Sequence, residues 1–350
     1  RSPGTVQPRG RDDYEVNERS KAGQRTDTTD RREHGIGMKV FIAGHTGLVG
    51  RALLRRLQLT ENYTVTHPVT RVDYRNPAAT LEAIRIAEVD AVVVAAGKVG
   101  GIGGNIAAPA DFTHDNASIQ LNIIEAARAC GVRKLIALGS SCIYPRLCKQ
   151  PMCEEDFLTG PYEPTNRGYA VAKTLGIEMC RAYHAQHGCN FYALMPPNLY
   201  GPWDNFKPAE SHVVAALLNR VSATPNYGEL TVWGSGNPRR EFMHVDDLAS
   251  AVQFCLNQVN AEHCGEAGFL NAGTGESCSI RELAELVIDA SGKTVQIKHD
   301  RSKPDGMPNK LMNSDNIHNL GWRHSISLMD GLKKTWDWLL KNRRLKDVRV

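Results

Sequence analysis

The sequence predicts an α/β fold, a doubly wound parallel sheet followed by a smaller C-terminal lobe. Three observations carry this. Short apolar runs alternate with helical patterns between residues 39 and 195. A glycine-rich turn, Gly44-His45-Thr46-Gly47-Leu48-Val49-Gly50, lies directly between the first apolar run and the first helical pattern. Beyond Tyr200-Gly201-Pro202 the alternation gives way to turn-rich segments such as Trp233-Gly234-Ser235-Gly236 and Ser302-Lys303-Pro304-Asp305-Gly306.

The first element, Lys39-Val40-Phe41-Ile42-Ala43, is apolar along most of its length and reads as a short buried strand. Helical periodicity over 48–59 follows, so the three glycines fall in a strand-to-helix turn. In that context the backbone can approach a pyrophosphate closely, and the helix N-terminus supplies amide donors and a positive dipole end. The spacing is G-x-x-G-x-x-G rather than G-x-G-x-x-G. Its two flanks make it a Rossmann-type dinucleotide loop.

A second strand is expected at 63–66, and after it comes Val69-Thr70-Arg71-Val72-Asp73-Tyr74-Arg75. An acidic residue about 20 positions beyond such a loop holds the ribose of NAD, whereas an arginine accommodates a 2′-phosphate. Arg71 comes first and favours NADP. Asp73 is close enough to compete and is expected nearer the adenine than the ribose. A helix over 77–88 then leads to a strand at 90–96, read from Asp90-Ala91-Val92-Val93-Val94-Ala95-Ala96. Next come a helix over 113–131, a strand at 134–139, a helix over 168–187 and a strand at 190–195. Ligands of such sheets sit at the carboxyl ends of the strands. Ala96-Gly97-Lys98, Gly139-Ser140-Ser141-Cys142 and Pro196-Pro197-Asn198 all fall there, beside the glycine loop.

Tyr169 and Lys173 are four residues apart on the 168–187 helix and so share a face. The ammonium is expected to lower the pKa of the phenol and make it a proton donor and acceptor near neutral pH. A carbonyl reduction needs such an acid, and Ser140 and Cys142 add a hydroxyl and a thiol to the same crevice.

The chain has 350 residues, 41% of them hydrophobic and 23% charged, enough to bury one large core or two unequal ones. A net charge of +4 is small for this length, and much of the arginine lies in the first 35 residues, so no nucleic-acid partner is implied. No apolar run reaches about 18 residues, so no membrane-spanning helix is expected. The nine cysteines form no C-x-x-C pair, and Cys148 with Cys153 has no histidine at ligand spacing. Reduced thiols in a cytoplasmic protein without a metal site fit that pattern.

Residues 1–37 are rich in Arg, Asp and Gly, lack apolar periodicity, and are expected to be either a disordered natural extension or an appended segment, with Met38 a candidate start. Interspersed acidic residues argue against a transit peptide. The expected domains are a cofactor-binding domain over 38–200 and a mainly substrate-binding lobe over 201–340. Segments around 241–258 and 268–275 return to the first domain, and 341–350 forms a tail.

With Ser140, Tyr169 and Lys173, the glycine loop resembles that of extended short-chain dehydrogenase/reductases acting on nucleotide sugars. Lys98-Val99-Gly100-Gly101-Ile102, the 139–145 and 163–166 segments, Asn198 to Phe206, Ser211-His212-Val213, 232–236, 240–249 and 302–306 narrow this. Together they resemble the GDP-L-fucose synthase family, the GDP-4-keto-6-deoxymannose epimerase/reductases, over residues 39–340. The resemblance implies inversion of sugar carbons 3 and 5 around a 4-ketone, then reduction of that ketone by NADPH.

By that resemblance Cys142 is the base and His212 the acid, with Ser140 and Tyr169 on the ketone oxygen and Lys173 on the nicotinamide ribose. The cofactor would contact Gly44 to Gly50, Leu138-Gly139-Ser140-Ser141 and Pro196-Pro197-Asn198-Leu199, with His212 near the nicotinamide. The GDP-sugar would contact Arg220, Trp233, Arg240 and Asp305, with Lys310 a lesser candidate.

Thr46 stands where bacterial members often carry arginine, the 103–106 loop is richer in glycine, and Pro197 replaces a usual threonine. None of these removes a catalytic group. A dehydratase would need an acidic pair where this chain has Ser141-Cys142, and a simple 4-epimerase would leave Cys142 and His212 idle. A non-catalytic scaffold would not need Ser140, Tyr169 and Lys173. Surplus apolar residues on the 113–131 and 168–187 helices (Ile119, Leu121, Ile123 and Ile124; Val171, Leu175, Ile177, Met179 and Tyr183) predict a homodimer.

Overall fold

The computed structural model describes residues 37–207, 210–302 and 305–344. The expected disordered extension over 1–37, Gly37 apart, lies outside the described residues, as do Lys303, Pro304 and 345–350 of the tail. The first half of the fold runs β1 (Met38–Ala43), α1 (Leu48–Gln58), β2 (Tyr63–Thr66), α2 (Pro77–Ala87) and β3 (Ala91–Val94). A short helix α3 (Ile102–Ala107) and the long α4 (Pro109–Ala129) precede β4 (Lys134–Leu138), α5 (Arg167–His187) and β5 (Asn190–Met195).

Most expected boundaries fall within two residues of these. β3 is shorter than expected, by one residue at its start and two at its end, and Asp90 just before it accepts the backbone N–H of Lys39 on its carboxylate at 2.9 Å. α4 starts four residues earlier than expected, with Pro109 in its first turn, where the missing N–H costs nothing. The glycine-rich 103–106 segment, expected to be a loop, lies in α3.

Beyond β5 the chain forms β6 (Asn198–Tyr200), α6 (Val213–Ala223), β7 (Glu229–Trp233), β8 (Arg239–Arg240) and β9 (Phe242–His244). It then returns through α7 (Val245–Gln258) and β10 (Phe269–Asn271). The main sheet has six parallel strands in the order β10-β5-β4-β3-β1-β2. Both of its faces are covered, which is why its strands read as continuous apolar runs. Val40, Ile42 and Val93 pack under Leu53 and Leu57 of α1 and Leu248 and Val252 of α7. Phe41, Val92 and Val94 point to the other face, under Ile84, Ile123, Ile124 and Ile177 of α2, α4 and α5. β1 lies between β2 and β3, so the strand order reverses there and opens a crevice above the carboxyl ends of β1 and β3.

The smaller lobe has its own core, in which Phe206, Leu217, Leu218, Leu230, Val232, Leu283 and Trp336 are buried together. Strand Asn309–Lys310 pairs parallel with β8, placing Lys310 opposite Arg240. The next residue, Glu241, is 1% exposed, and its carboxylate accepts N–H bonds from Thr274 at 2.6 Å, Gly275 at 3.0 Å and Met312 at 3.0 Å. A buried carboxylate persists only when satisfied in this way, so it clamps three segments to one another.

The surplus apolar face of α4 and α5 is smaller than the sequence suggests. Ile123, Ile124 and Ile177 are buried within the chain's own core, while Leu121 and Val171 are each 41% exposed. Among the described residues, no helix is long and apolar enough to cross a membrane.

Candidate active site

The glycine loop is built for close backbone contact. Gly44 has φ +90°, and a Cβ there would lie 2.6 Å from the backbone N of Ala96, just past the end of β3. A Cβ on Gly50 would lie 2.2 Å from the carbonyl oxygen of Gly44. Gly47 is the N-cap of α1 and forms no side-chain cap, which leaves first-turn amides available to an anion at the reversal crevice. These features fit a bound dinucleotide.

Arg71 is exposed and takes no hydrogen bond among the described residues. Arg75, by contrast, is committed to Asp73 at 2.8 Å and to Asp115 at 3.3 Å. Its hydrogen bonds hold the Asp73 carboxyl down at about 2. Of these two exposed arginines, Arg71 is the one without a carboxylate partner among the described residues.

At the carboxyl end of β4 the chain passes through Gly139 into Ser140, whose hydroxyl accepts the Cys142 N–H at 3.3 Å and caps the single turn Ser141–Ile143. This turn presents the Cys142 sulfur to two donors. The Asn166 amide lies 3.0 Å away and the Lys310 ammonium 3.4 Å away. Neither contact was read from the sequence as one to Cys142. Asn166 occurs only within a motif of the resemblance, and Lys310 only as a lesser substrate contact. Asn166 is also the N-cap of α5, and it makes no cap bond with its side chain. A forgone asparagine cap costs about 1 kcal/mol.

Lys173 is buried, donates to the Leu138 carbonyl oxygen at 2.7 Å and lies 5.8 Å from the centre of the Tyr169 ring. Burial pushes its pKa down to about 8. The phenol of Tyr169 differs from expectation, because its pKa is raised rather than lowered. Burial is the main cause, the Cys142 sulfur adds to it, and a hydrogen bond with Ser140 offsets part. Burial of the phenol, rather than the nearby ammonium, sets the direction. Tyr169 is thus held as a neutral proton donor.

His212 is the N-cap of α6 and leaves that helix uncapped by its side chain. Its segment is tied to the start of α3 by the Gly101 N–H, which donates to the Glu210 carbonyl oxygen at 3.3 Å. The residue is exposed. Surrounding protein lowers its pKa by desolvation, and the charge of Lys310 lowers it further. Lys310 therefore acts on both Cys142 and His212.

Arg240, on the rung beside Lys310, has its pKa lowered by burial, with Cys142 and Glu163 acting in the opposite sense. Arg220 lies 5.3 Å from the centre of the Trp233 ring, and that ring is 57% exposed rather than part of the core. Asp305 accepts from the N–H and hydroxyl of Ser235 at 2.6 and 2.8 Å, which fixes the turn next to Trp233. Of the groups around Cys142, Asn166 and Tyr169 also line a cavity of about 540 Å³ between α3 and the start of α5.

Residues 40–273 match the NAD dependent epimerase/dehydratase family. The chain is 48% identical over 312 residues to the probable GDP-L-fucose synthase 1 of Oryza sativa subsp. japonica, covering 87% of this chain and 93% of that one. It is 45% identical over 311 residues to the GDP-L-fucose synthase of Escherichia coli (strain K12), covering 87% and 97%. Among solved structures it resembles MlghC, a GDP-mannoheptose C4 reductase from Campylobacter jejuni with NADP bound. That likeness has a TM-score of 0.78 at 30% identity over 87% of this chain and 98% of that one.

Proposed function

The chain belongs to the NAD dependent epimerase/dehydratase family, and from that membership we infer that it converts GDP-4-keto-6-deoxymannose to GDP-L-fucose. It is an NADP-dependent epimerase and reductase. The observation that carries this reading is the convergence of Asn166 and Lys310 on the Cys142 sulfur, beside the Ser140, Tyr169 and Lys173 group that a reductase alone would need. A simple 4-epimerase has no use for that thiol.

Protons on carbons 3 and 5 are α to the ketone, so removing either gives an enolate. Cys142 takes the proton, and two positive or polar donors receive the sulfur in either state. Ser140 and Tyr169 hydrogen-bond the ketone oxygen while charge develops on it. His212 returns a proton on the opposite side of the ring, which inverts the carbon. Bound NADPH supplies the hydride for carbon 4. Tyr169 gives its phenolic proton to the carbonyl oxygen in that step, and Lys173 offsets the charge left behind. The glycine loop and the start of α1 would hold the pyrophosphate, while Arg220, Arg240 and Trp233 would receive the GDP. The test is incubation with NADPH and GDP-4-keto-6-deoxymannose. GDP-L-fucose should appear with one NADPH consumed per product, and a lack of both changes would sink the reading.

Arg71 is proposed to hold the 2′-phosphate. Losing one charge-assisted contact costs about 1.5–3 kcal/mol. Arg71→Ala should therefore raise the KM for NADPH roughly ten- to a hundred-fold and change that for NADH little. Steady-state kinetics with both cofactors checks this, and equal effects would rule Arg71 out.

The exposed Leu121 and Val171 on the paired helices α4 and α5 support a homodimer, with about 1,200–2,000 Å² of total buried area. Sedimentation at micromolar concentration should give twice the chain mass, and a fully active monomer would exclude it. A cytoplasmic setting fits the nine cysteines, none of which forms a disulfide.

A further inference from the structure

We propose that Asn166 is a positioning residue that fixes the Cys142 sulfur for proton removal, an assignment that rests on the reading of Cys142 as the base. Asparagine is among the preferred N-cap residues because its side-chain oxygen satisfies a free amide in the first turn of a helix. Asn166 occupies that place on α5 and does not use it. Its Nδ2 donates to the Cys142 sulfur at 3.0 Å, and its Oδ1 is buried without a hydrogen-bond partner. A buried carbonyl oxygen left unpaired is costly. The side chain has therefore given up the cap bond its oxygen would accept for a contact from its nitrogen to sulfur, a trade that makes sense where the sulfur must accept strongly.

Lys310 touches the same sulfur, but the two residues differ in kind. The ammonium of Lys310 ends a long, flexible side chain. Asn166 is short, and its backbone N–H is pinned to the Glu163 carbonyl oxygen at 3.3 Å. Lys310 thus supplies charge, while Asn166 supplies direction. Asn166 also sits three residues before Tyr169, so the first turn of α5 fixes the proposed base and the proton donor to the ketone oxygen against each other.

The test compares two rates in the intact enzyme with Asn166→Asp and Asn166→Ala. One is solvent deuterium incorporation at carbons 3 and 5 of GDP-4-keto-6-deoxymannose, which needs Cys142. The other is NADP⁺-dependent oxidation of GDP-L-fucose, in which hydride leaves carbon 4 for the cofactor and the hydroxyl proton passes to the phenolate form of Tyr169, whose own proton has first gone to solvent, with no carbon acid ionised. The ratio of exchange to oxidation should fall about ten- to a hundred-fold in both variants. Aspartate preserves size but cannot donate to a thiolate, so it decides the matter if the alanine variant is unstable. A proportional fall in both rates would mean a structural role and overturn the proposal, as would an unchanged ratio. Absence of exchange in the wild-type enzyme would instead overturn the reading of Cys142 as the base, and the proposal with it.

Discussion

Cys142→Ser is expected to cut deuterium incorporation at carbons 3 and 5 by roughly 10²- to 10⁴-fold, the range that a positioned base contributes. The substitution is nearly isosteric. The backbone N–H of residue 142 still reaches the Ser140 hydroxyl, so the turn Ser141–Ile143 should keep its shape. What changes is the acid itself, because an alkoxide is far harder to generate than a thiolate. Asn166 and Lys310 would then point at a neutral hydroxyl. Direct reduction of the un-epimerised ketone should persist, and NMR of the products would show a 4-hydroxyl sugar without inversion. Normal exchange in this variant would place proton removal elsewhere.

Tyr169→Phe should do the reverse, keeping exchange and lowering hydride transfer by roughly 10²- to 10⁴-fold. Only reduction requires a full proton on the ketone oxygen. During epimerisation Ser140, in its proposed role, would remain as a hydrogen-bond donor to that oxygen. Burial holds the phenol protonated in the free enzyme, so this is the loss of a resident acid. Stopped-flow oxidation of NADPH alongside deuterium incorporation separates the two steps. Reduction at the wild-type rate would refute the role of Tyr169.

The inner strands of the sheet were legible because each is local and buried on both faces, as in Ala91-Val92-Val93-Val94. The helical pattern reads from residue 113, whereas the helix starts at Pro109, whose missing N–H costs nothing in a first turn. Ser140, Tyr169 and Lys173 stood out through short spacings within adjacent elements. Asn166 and Lys310 did not, since they reach Cys142 across 24 and 168 positions of chain. No spacing rule covers such a contact. The direction of the Tyr169 shift was also beyond sequence, because helical spacing sets the distance to Lys173 but not the burial of either group.

Arg240 and Lys310 are opposing rungs of one two-residue ladder, and the Glu241 carboxylate grips the chain again at Met312, two residues past Lys310. A pull on the guanidinium is therefore carried by the same short strands that aim the ammonium at Cys142. Were Arg240 to hold the nucleotide as proposed, part of that attachment energy would reappear as a lower activation barrier at carbons remote from it. A keto sugar stripped of its nucleotide would turn over more slowly even at saturation, and raising its concentration would not restore the rate.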